Sequence, residues 1–212
     1  MYRWYENTGV CYAYLHNVHD PSFPSAHDKE RYCDFDGWLE WFSHGWTLQE
    51  LIAPSDIEFF NKNWQNIGDK RVLAPTLAGI TGIPQHILTH GLCRNRPCVA
   101  QIMSWVANHT MMQVEDRAYL LMGLLEVNMP MLYGEGKKAF HHLQLEIIHT
   151  SNDQSIFVWS SVEGDKLTGN ILADDPSFFW YCGEMELMGH NKYIKFLKED
   201  DVPEEELDLI KD

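Results

Sequence analysis

The chain has no long hydrophobic run and few basic residues, and these two absences exclude several classes of protein. No apolar stretch approaches the roughly 20 residues that span a bilayer, and the N-terminus lacks the basic-then-apolar pattern of a signal peptide. Lysine and arginine together number 16, against 31 acidic residues, for a net charge of −15 over 212 residues. Because phosphate binding needs clustered basic side chains, we expect no nucleic-acid partner. Because no apolar stretch is long enough to span a bilayer, we expect no membrane partner.

Cysteine is also scarce, and its spacing indicates neither a disulfide framework nor a metal centre. The five cysteines are an odd number and fit reduced thiols in a cytoplasmic protein. Cys93 and Cys98 lie near His86 and His90, but this spacing matches no zinc signature. We therefore expect no bound metal.

Phosphate-binding motifs are incomplete. Gly134 and Gly136 precede a helical pattern, and such a turn can cradle an anion at a helix start. The lysine–serine ending of a nucleotide-binding loop is missing, which favours a plain turn. We expect no resident cofactor.

Strand-like runs interleaved with helical patterns predict an α/β fold with a mainly parallel sheet and a predominantly helical C-terminal part. Residues 1–7 resemble the end of a helix. The run 10–15 reads as a strand covered on both faces, 57–60 as a second strand beside it, 61–68 as a turn region and 156–159 as a last strand. Helical periodicity marks residues 99–106, 118–125 and 137–149.

The segment from Gly45 to Pro54 is the most informative in the chain. Thr47 and Glu50 have the spacing of a capping box, which predicts that Glu50 bonds the start of a helix. Trp46 and Glu50 also share one helix face, so the same spacing can hold a carboxylate beside an indole at a pocket rim. The spacing alone leaves both interpretations open.

Five blocks in order resemble the fungal heterokaryon-incompatibility (HET) domain over about 150 residues. They span 45–54, 103–105, 115–119, 128–140 and 155–159. The residues that carry the likeness include Gly45, Thr47, Gln49, Ser104, Trp105, Glu115, Asp116, Tyr119, Tyr133, Gly134, Glu135 and Gly136.

The resemblance implies a role in nonself recognition and programmed cell death when incompatible fungal cells fuse. The family is distantly similar to TIR domains, which have a flavodoxin-like sheet and in some cases hydrolyse NAD+ with a glutamate of a Trp-x-x-x-Glu helix. By that comparison Glu50 is a candidate catalytic residue and Trp46 a candidate substrate-binding residue. NAD+ would be the substrate only in that case.

Two departures from the family pattern weaken the enzymatic interpretation. The blocks that open the family domain, including its first strand, are absent, so the resemblance implies an N-terminally truncated product or a gene model that starts late. The family usually has arginine at the positions of His44, Ile102, His109 and Gln113, and threonine at Met111 and Met112. None of the four residues at the arginine positions forms the bidentate fork with which arginine binds carboxylate or phosphate.

We therefore expect residues 1–160 to form the C-terminal part of a HET domain with its following helical region, and 161–212 to form an extension with an acidic tail. Three hypotheses follow. The first is a fragment of an incompatibility effector without NAD+ hydrolysis, the second is a TIR-like NAD+ glycohydrolase using Glu50, and the third is a binding module for other HET-domain proteins or for itself.

Overall fold

A computed structural model describes residues 1–24, 27–28, 30, 38–92, 96–107, 109, 111–160 and 171–188. Within these residues the chain forms a mixed α/β fold with three strands and seven α-helices. Their order is α1 (Tyr2–Glu6), β1 (Cys11–Tyr14), α2 (Thr47–Ile52), β2 (Ile57–Phe60), β3 (Asn66–Asp69), α3 (Lys70–Thr81), α4 (Gln85–His90), α5 (Val99–Val106), α6 (Asp116–Leu125) and α7 (Lys138–Thr150).

The strands form one small sheet in the order β1-β2-β3. β1 pairs with β2 in parallel, with Cys11 opposite Ile57 and Tyr14 opposite Phe60, which confirms the predicted pairing. β3 is antiparallel to β2, so the sheet is mixed and not mainly parallel. The predicted turn region 61–68 is shorter than expected, because the buried Asn61 carboxamide accepts the amides of Asn63 and Gln65 and folds the chain back at once.

The prediction that β1 is covered on both faces is wrong. Ala13 is buried, but Tyr12 and Tyr14 point to solvent and are 63% and 39% exposed. Among the described residues β1 is an edge strand. An unbroken apolar run is ambiguous in this respect, because exposed tyrosines and buried aliphatic residues read alike on a hydrophobicity pattern.

The three helices predicted from periodicity are confirmed as α5, α6 and α7. The predicted strand at 156–159 is wrong, since Gln154–Phe157 forms a 3₁₀ turn. Asp153 accepts the amide of Ser155 at the start of this turn, and the Ser155 hydroxyl accepts the amide of Ala100 in α5. Hydrogen bonding to a helix start therefore replaces the ladder that a strand would need.

Two helices of the structure, α3 and α4, were not predicted. α3 begins after Asp69, whose carboxylate accepts the amides of Arg71 and Val72 as an N-cap. α3 packs on β2, β3 and α4, while α2 contacts α1, α4 and α6. We call residues 1–81 the sheet part and residues 82–188 the helical part. One hydrophobic cluster runs through both parts. Among the described helices none has the length and apolar character to cross a membrane.

Candidate functional site

Glu50 is positioned by a hydrogen bond from α1. The Tyr5 hydroxyl donates to Oε1 of Glu50 over 2.9 Å. Burial, and then this hydrogen bond, raise the pKa of Tyr5 to about 12. The carboxylate thus has a fixed partner on a neighbouring helix.

The capping-box prediction for Thr47 and Glu50 is wrong. Trp46 occupies the N-cap position of α2 and makes no side-chain cap. The Thr47 hydroxyl donates to the carbonyl of His44 over 2.5 Å, and the Thr47 amide bonds the same carbonyl. The Thr47 amide, which Glu50 would accept in a capping box, is therefore already bonded, and the Glu50 carboxylate accepts the Tyr5 hydroxyl instead.

Trp46 lines a groove of about 530 Å³ between α1, α2 and α6. Glu50 is not among the residues that line this groove. Although both residues belong to the α2 segment, they contact different parts of the molecule: Glu50 faces Tyr5, and Trp46 faces α6 and the loop after it. The groove is also lined by Tyr2, Arg3, Glu6, Gln49, Tyr119, Met122, Gly123, Glu126, Val127, Asn128 and Met131, together with Met1.

Gln49 joins α2 to α6 at the floor of this groove. Its Nε2 donates to the carbonyl of Leu120 over 2.7 Å, which fixes the orientation of the amide. A Cβ at Gly123 would lie 2.6 Å from that nitrogen, so only glycine leaves room for the glutamine. Likewise, a Cβ at Gly45 would overlap the methyl end of Met111. The roles of Gly45 and Gln49 in this structure are therefore matters of packing.

Lys70, which sequence reasoning missed, is buried beneath the amino ends of the two parallel strands. Its Nζ donates to the carbonyls of Pro54 over 2.7 Å and Ile52 over 3.3 Å, at the end of α2. Burial lowers the pKa of Lys70 to about 8. Burial, followed by the charge of Glu50, raises the pKa of the Cys11 thiol. Cys11 is therefore a poor nucleophile, and Lys70 has a structural role under the strands.

A second group of sequence-predicted residues is brought together at the start of α6. The Glu115 carboxylate accepts the amides of Gly134 over 2.9 Å and Gly136 over 2.8 Å. These glycines have φ values of +99° and +59°, which glycine adopts without strain. The amides of Gly136, and then Gly134, lower the pKa of Glu115. The glycine turn does cradle an anion, and the anion is the chain's own glutamate.

Further contacts of two tyrosines complete this cluster, which we call the clasp: Glu115, Asp116 and Tyr119 with Leu132, Tyr133, Gly134 and Gly136. The Tyr133 hydroxyl donates to Asp116 over 2.9 Å. The Tyr119 hydroxyl donates to the carbonyl of Leu132 and accepts its amide, at 2.8 and 2.7 Å. Glu135 instead faces His142 on α7, at 3.1 Å. The two motif blocks therefore hold a loop against a helix.

The C-terminal end of α5 and the start of α6 contain a buried polar region. Arg117 pairs with Asp175 over 2.5 Å and donates to the carbonyl of His109. Burial, assisted by the charge of Arg117, lowers the pKa of His109 to about 4. His109 Nδ1 and Trp105 Nε1 are buried without a hydrogen-bond partner among the described residues. Ser104 bonds the carbonyl of Gln101 within its own helix.

The positions where the family usually has arginine differ in their surroundings. Ile102 is in the core and His109 is buried, whereas Gln113 is exposed and His44 lies 3.7 Å from Glu40 at the surface. Within the described part of the chain, no group of three or more histidine, cysteine or acidic side chains has metal-binding geometry. Cys93 lies outside the described residues.

Comparison with known proteins gives one curated relative. The chain is 38% identical over 156 residues to the vegetative incompatibility protein HET-E-1 of Podospora anserina, covering 69% of this chain and 11% of that protein. The chain thus spans about a tenth of the length of the relative it matches. No family model matches the chain, and no solved structure matches it. On this similarity, which agrees with the ordered motif blocks, the chain belongs to the heterokaryon-incompatibility (HET) family.

Proposed function

We propose that this chain acts in fungal vegetative incompatibility, as a HET module whose engagement leads to nonself recognition and programmed cell death. The observation that carries the proposal is its 38% identity to HET-E-1, a protein named for vegetative incompatibility. The clasp supports it, because the motif residues Glu115, Asp116, Tyr119, Tyr133, Gly134 and Gly136 interlock in one compact arrangement. A domain with such an internal scaffold can present a surface to partners.

We also propose that the fold is a partial flavodoxin- or TIR-like domain. Its support is the unit β1–α2–β2, in which two parallel strands are joined through a helix. This is the building block of open α/β sheets. The antiparallel β3 is a departure from a purely parallel sheet.

The alternative function, NAD+ hydrolysis by Glu50, has less support. A catalytic carboxylate must reach the bound sugar, within hydrogen-bond distance of a plausible substrate pose. Glu50 instead accepts the Tyr5 hydroxyl and does not line the groove that contains Trp46. We infer that Glu50 positions α1 on α2. Incubating the purified chain with NAD+ tests the enzymatic alternative directly. Turnover that disappears in Glu50→Gln, with the fold intact, would restore the enzymatic function.

A cytoplasmic location and binding to other HET-domain proteins are also proposed. The three cysteines within the described residues, Cys11, Cys98 and Cys182, are free thiols, which suits a reducing compartment.

Inducible expression in a filamentous fungus tests the incompatibility function. We expect growth arrest and loss of membrane integrity after induction, measured by dye uptake. Glu115→Ala should abolish this response by opening the clasp, whereas Glu135→Ala, a matched loss of an acidic side chain outside the clasp amides, should retain it. Immunoblots establish that each variant is present. Healthy growth with abundant wild-type protein would contradict the proposal.

A further inference from the structure

The solvent side of the sheet carries four aromatic side chains, which we call the aromatic face: Tyr12, Tyr14, Phe60 and Trp64. Tyr14 stacks on Trp64 with ring centres 4.7 Å apart, and Phe60 lies 5.9 Å from Trp64 and 5.6 Å from Tyr12. Trp64 and Tyr12 are each 63% exposed. The rings therefore form a continuous surface in contact with solvent.

Trp64 is held there in an unfavourable backbone conformation. Its φ is +59°, a region that is unfavourable for a residue with a side chain. The turn that imposes this conformation is fixed by Asn61, whose side chain bonds the amides on either side of Trp64. Burial does not explain the tryptophan, because most of its ring is in solvent. A strained residue that displays its ring at a surface is a candidate for a binding role.

The aromatic face adjoins an open strand edge. The amides of Cys11 and Leu15 donate to Asp56 and Phe60, so odd-numbered residues of β1 face β2. The backbone groups of Tyr12 and Tyr14 consequently point to the other edge, where the described part of the chain provides no strand. Such an edge accepts an added strand. The side chains of that strand would lie beside the rings of Tyr12 and Tyr14.

The acidic character of the chain favours a basic partner; Lys62, whose carbonyl accepts the Tyr14 hydroxyl, is a basic residue at the border of the face. Glu58 lies opposite Tyr12 in the sheet and shares its face, and the whole chain carries a net charge of −15. Aromatic faces also attract cations. We propose that the aromatic face and the edge of β1 bind an extended segment of another protein that carries lysine or arginine at alternate positions. Two copies of this chain would bring like charges together, which disfavours pairing of β1 with itself.

The test uses the full chain and a nine-residue peptide of alternating lysine and valine with blocked ends. A peptide with glutamate in place of lysine is the control. Dissociation constants come from fluorescence anisotropy, and hydrogen exchange reports on the amides of Tyr12 and Tyr14. We expect the lysine peptide to bind, the glutamate peptide not to bind, and both amides to become protected.

Variants separate this site from general attraction to an acidic protein. Trp64→Gly removes the ring and suits the positive φ, and we expect it to weaken binding about tenfold without lowering stability. Glu58→Gln should weaken binding measurably, while Glu146→Gln on α7, the same loss of charge elsewhere, should not. Trp4→Ala, another exposed aromatic, should also leave binding unchanged. Equal effects of the paired variants, equal binding of both peptides, absence of binding, or a dimer that protects Tyr12 and Tyr14 without peptide would each overturn the proposal.

Discussion

The buried polar residues of the helical part and Glu50 in the sheet part bond different kinds of partner. In the helical part, Glu115, Gln144 and Tyr119 are buried and bond backbone groups of distant segments. In the sheet part, Glu50 is partly exposed and bonds another side chain, the Tyr5 hydroxyl. A buried polar group that loses its partner destabilises the fold far more than an exposed one, because water can hydrogen-bond to the exposed group instead. The difference shows that the two groups of motif residues need not share one role.

Gln144→Leu should have the largest effect. The buried carboxamide donates to the carbonyl of Ala173 and accepts its amide, at 2.8 and 3.0 Å. Leucine fills a similar volume but leaves both groups of a fully buried residue unpaired, so we expect a loss of about 4 kcal/mol. Urea unfolding measures this. Gln85→Leu, at the exposed start of α4, is the control and should change stability little.

Acidification should destabilise the helical part through His109. Its pKa is about 4 in the fold, against 6.5 ordinarily, so the unfolded chain binds more protons between these values. Stability should therefore fall as the pH drops from about 6.5 to about 4, by roughly 3 kcal/mol. Unfolding across this window, compared with His109→Gln, isolates the contribution. An identical pH dependence in both proteins would contradict it.

Alkaline pH should stabilise the sheet part through Lys70. Its pKa is about 8 in the fold and 10.5 ordinarily, so the unfolded chain again binds more protons between these values. Stability should rise from about pH 8 to about pH 10.5, by roughly 3 kcal/mol. Lys70→Met should remove this slope. A slope that persists in the variant would assign it to other groups.

Glu50→Gln should have the smallest effect on stability, about 0.5 kcal/mol, because its bond with Tyr5 is partly exposed. The clearer signal is the tyrosine itself. The pKa of Tyr5 should move from about 12 towards its ordinary value, which ultraviolet titration detects against a Tyr5→Phe reference. An unchanged titration would mean that the carboxylate does not face this hydroxyl.

Local patterns in the sequence predicted the helices α5 to α7 and the β1–β2 pair, because periodicity and apolar runs are properties of neighbouring residues. They did not predict β3, which depends on the Asn61 side chain bonding across its own turn. The strand expected at 156–159 was wrong because Ser155 bonds α5, a contact between residues distant in sequence. The capping box at Thr47 was wrong for the same reason, since Glu50 bonds Tyr5, 45 residues away.

For the candidate site, motif blocks identified the members of the clasp but not their partners. The sequence favoured a plain turn at 134–136, and it contains no signal that the amides of this turn bind Glu115. Lys70 was missed because its burial is created by α2 and the strands together. Sequence spacing thus identified candidate residues, but it could not predict their roles, because those roles depend on how separate segments pack together.

The most direct test compares Glu115→Ala with Glu50→Gln in one series of urea unfolding experiments, with Glu135→Ala as the matched acidic control. We expect Glu115→Ala to lower the unfolding midpoint far more than either other variant, because it leaves the amides of Gly134 and Gly136 without their acceptor. A midpoint for Glu115→Ala equal to that of the wild type, or below it by no more than for Glu50→Gln, would contradict a structural clasp at the motif residues.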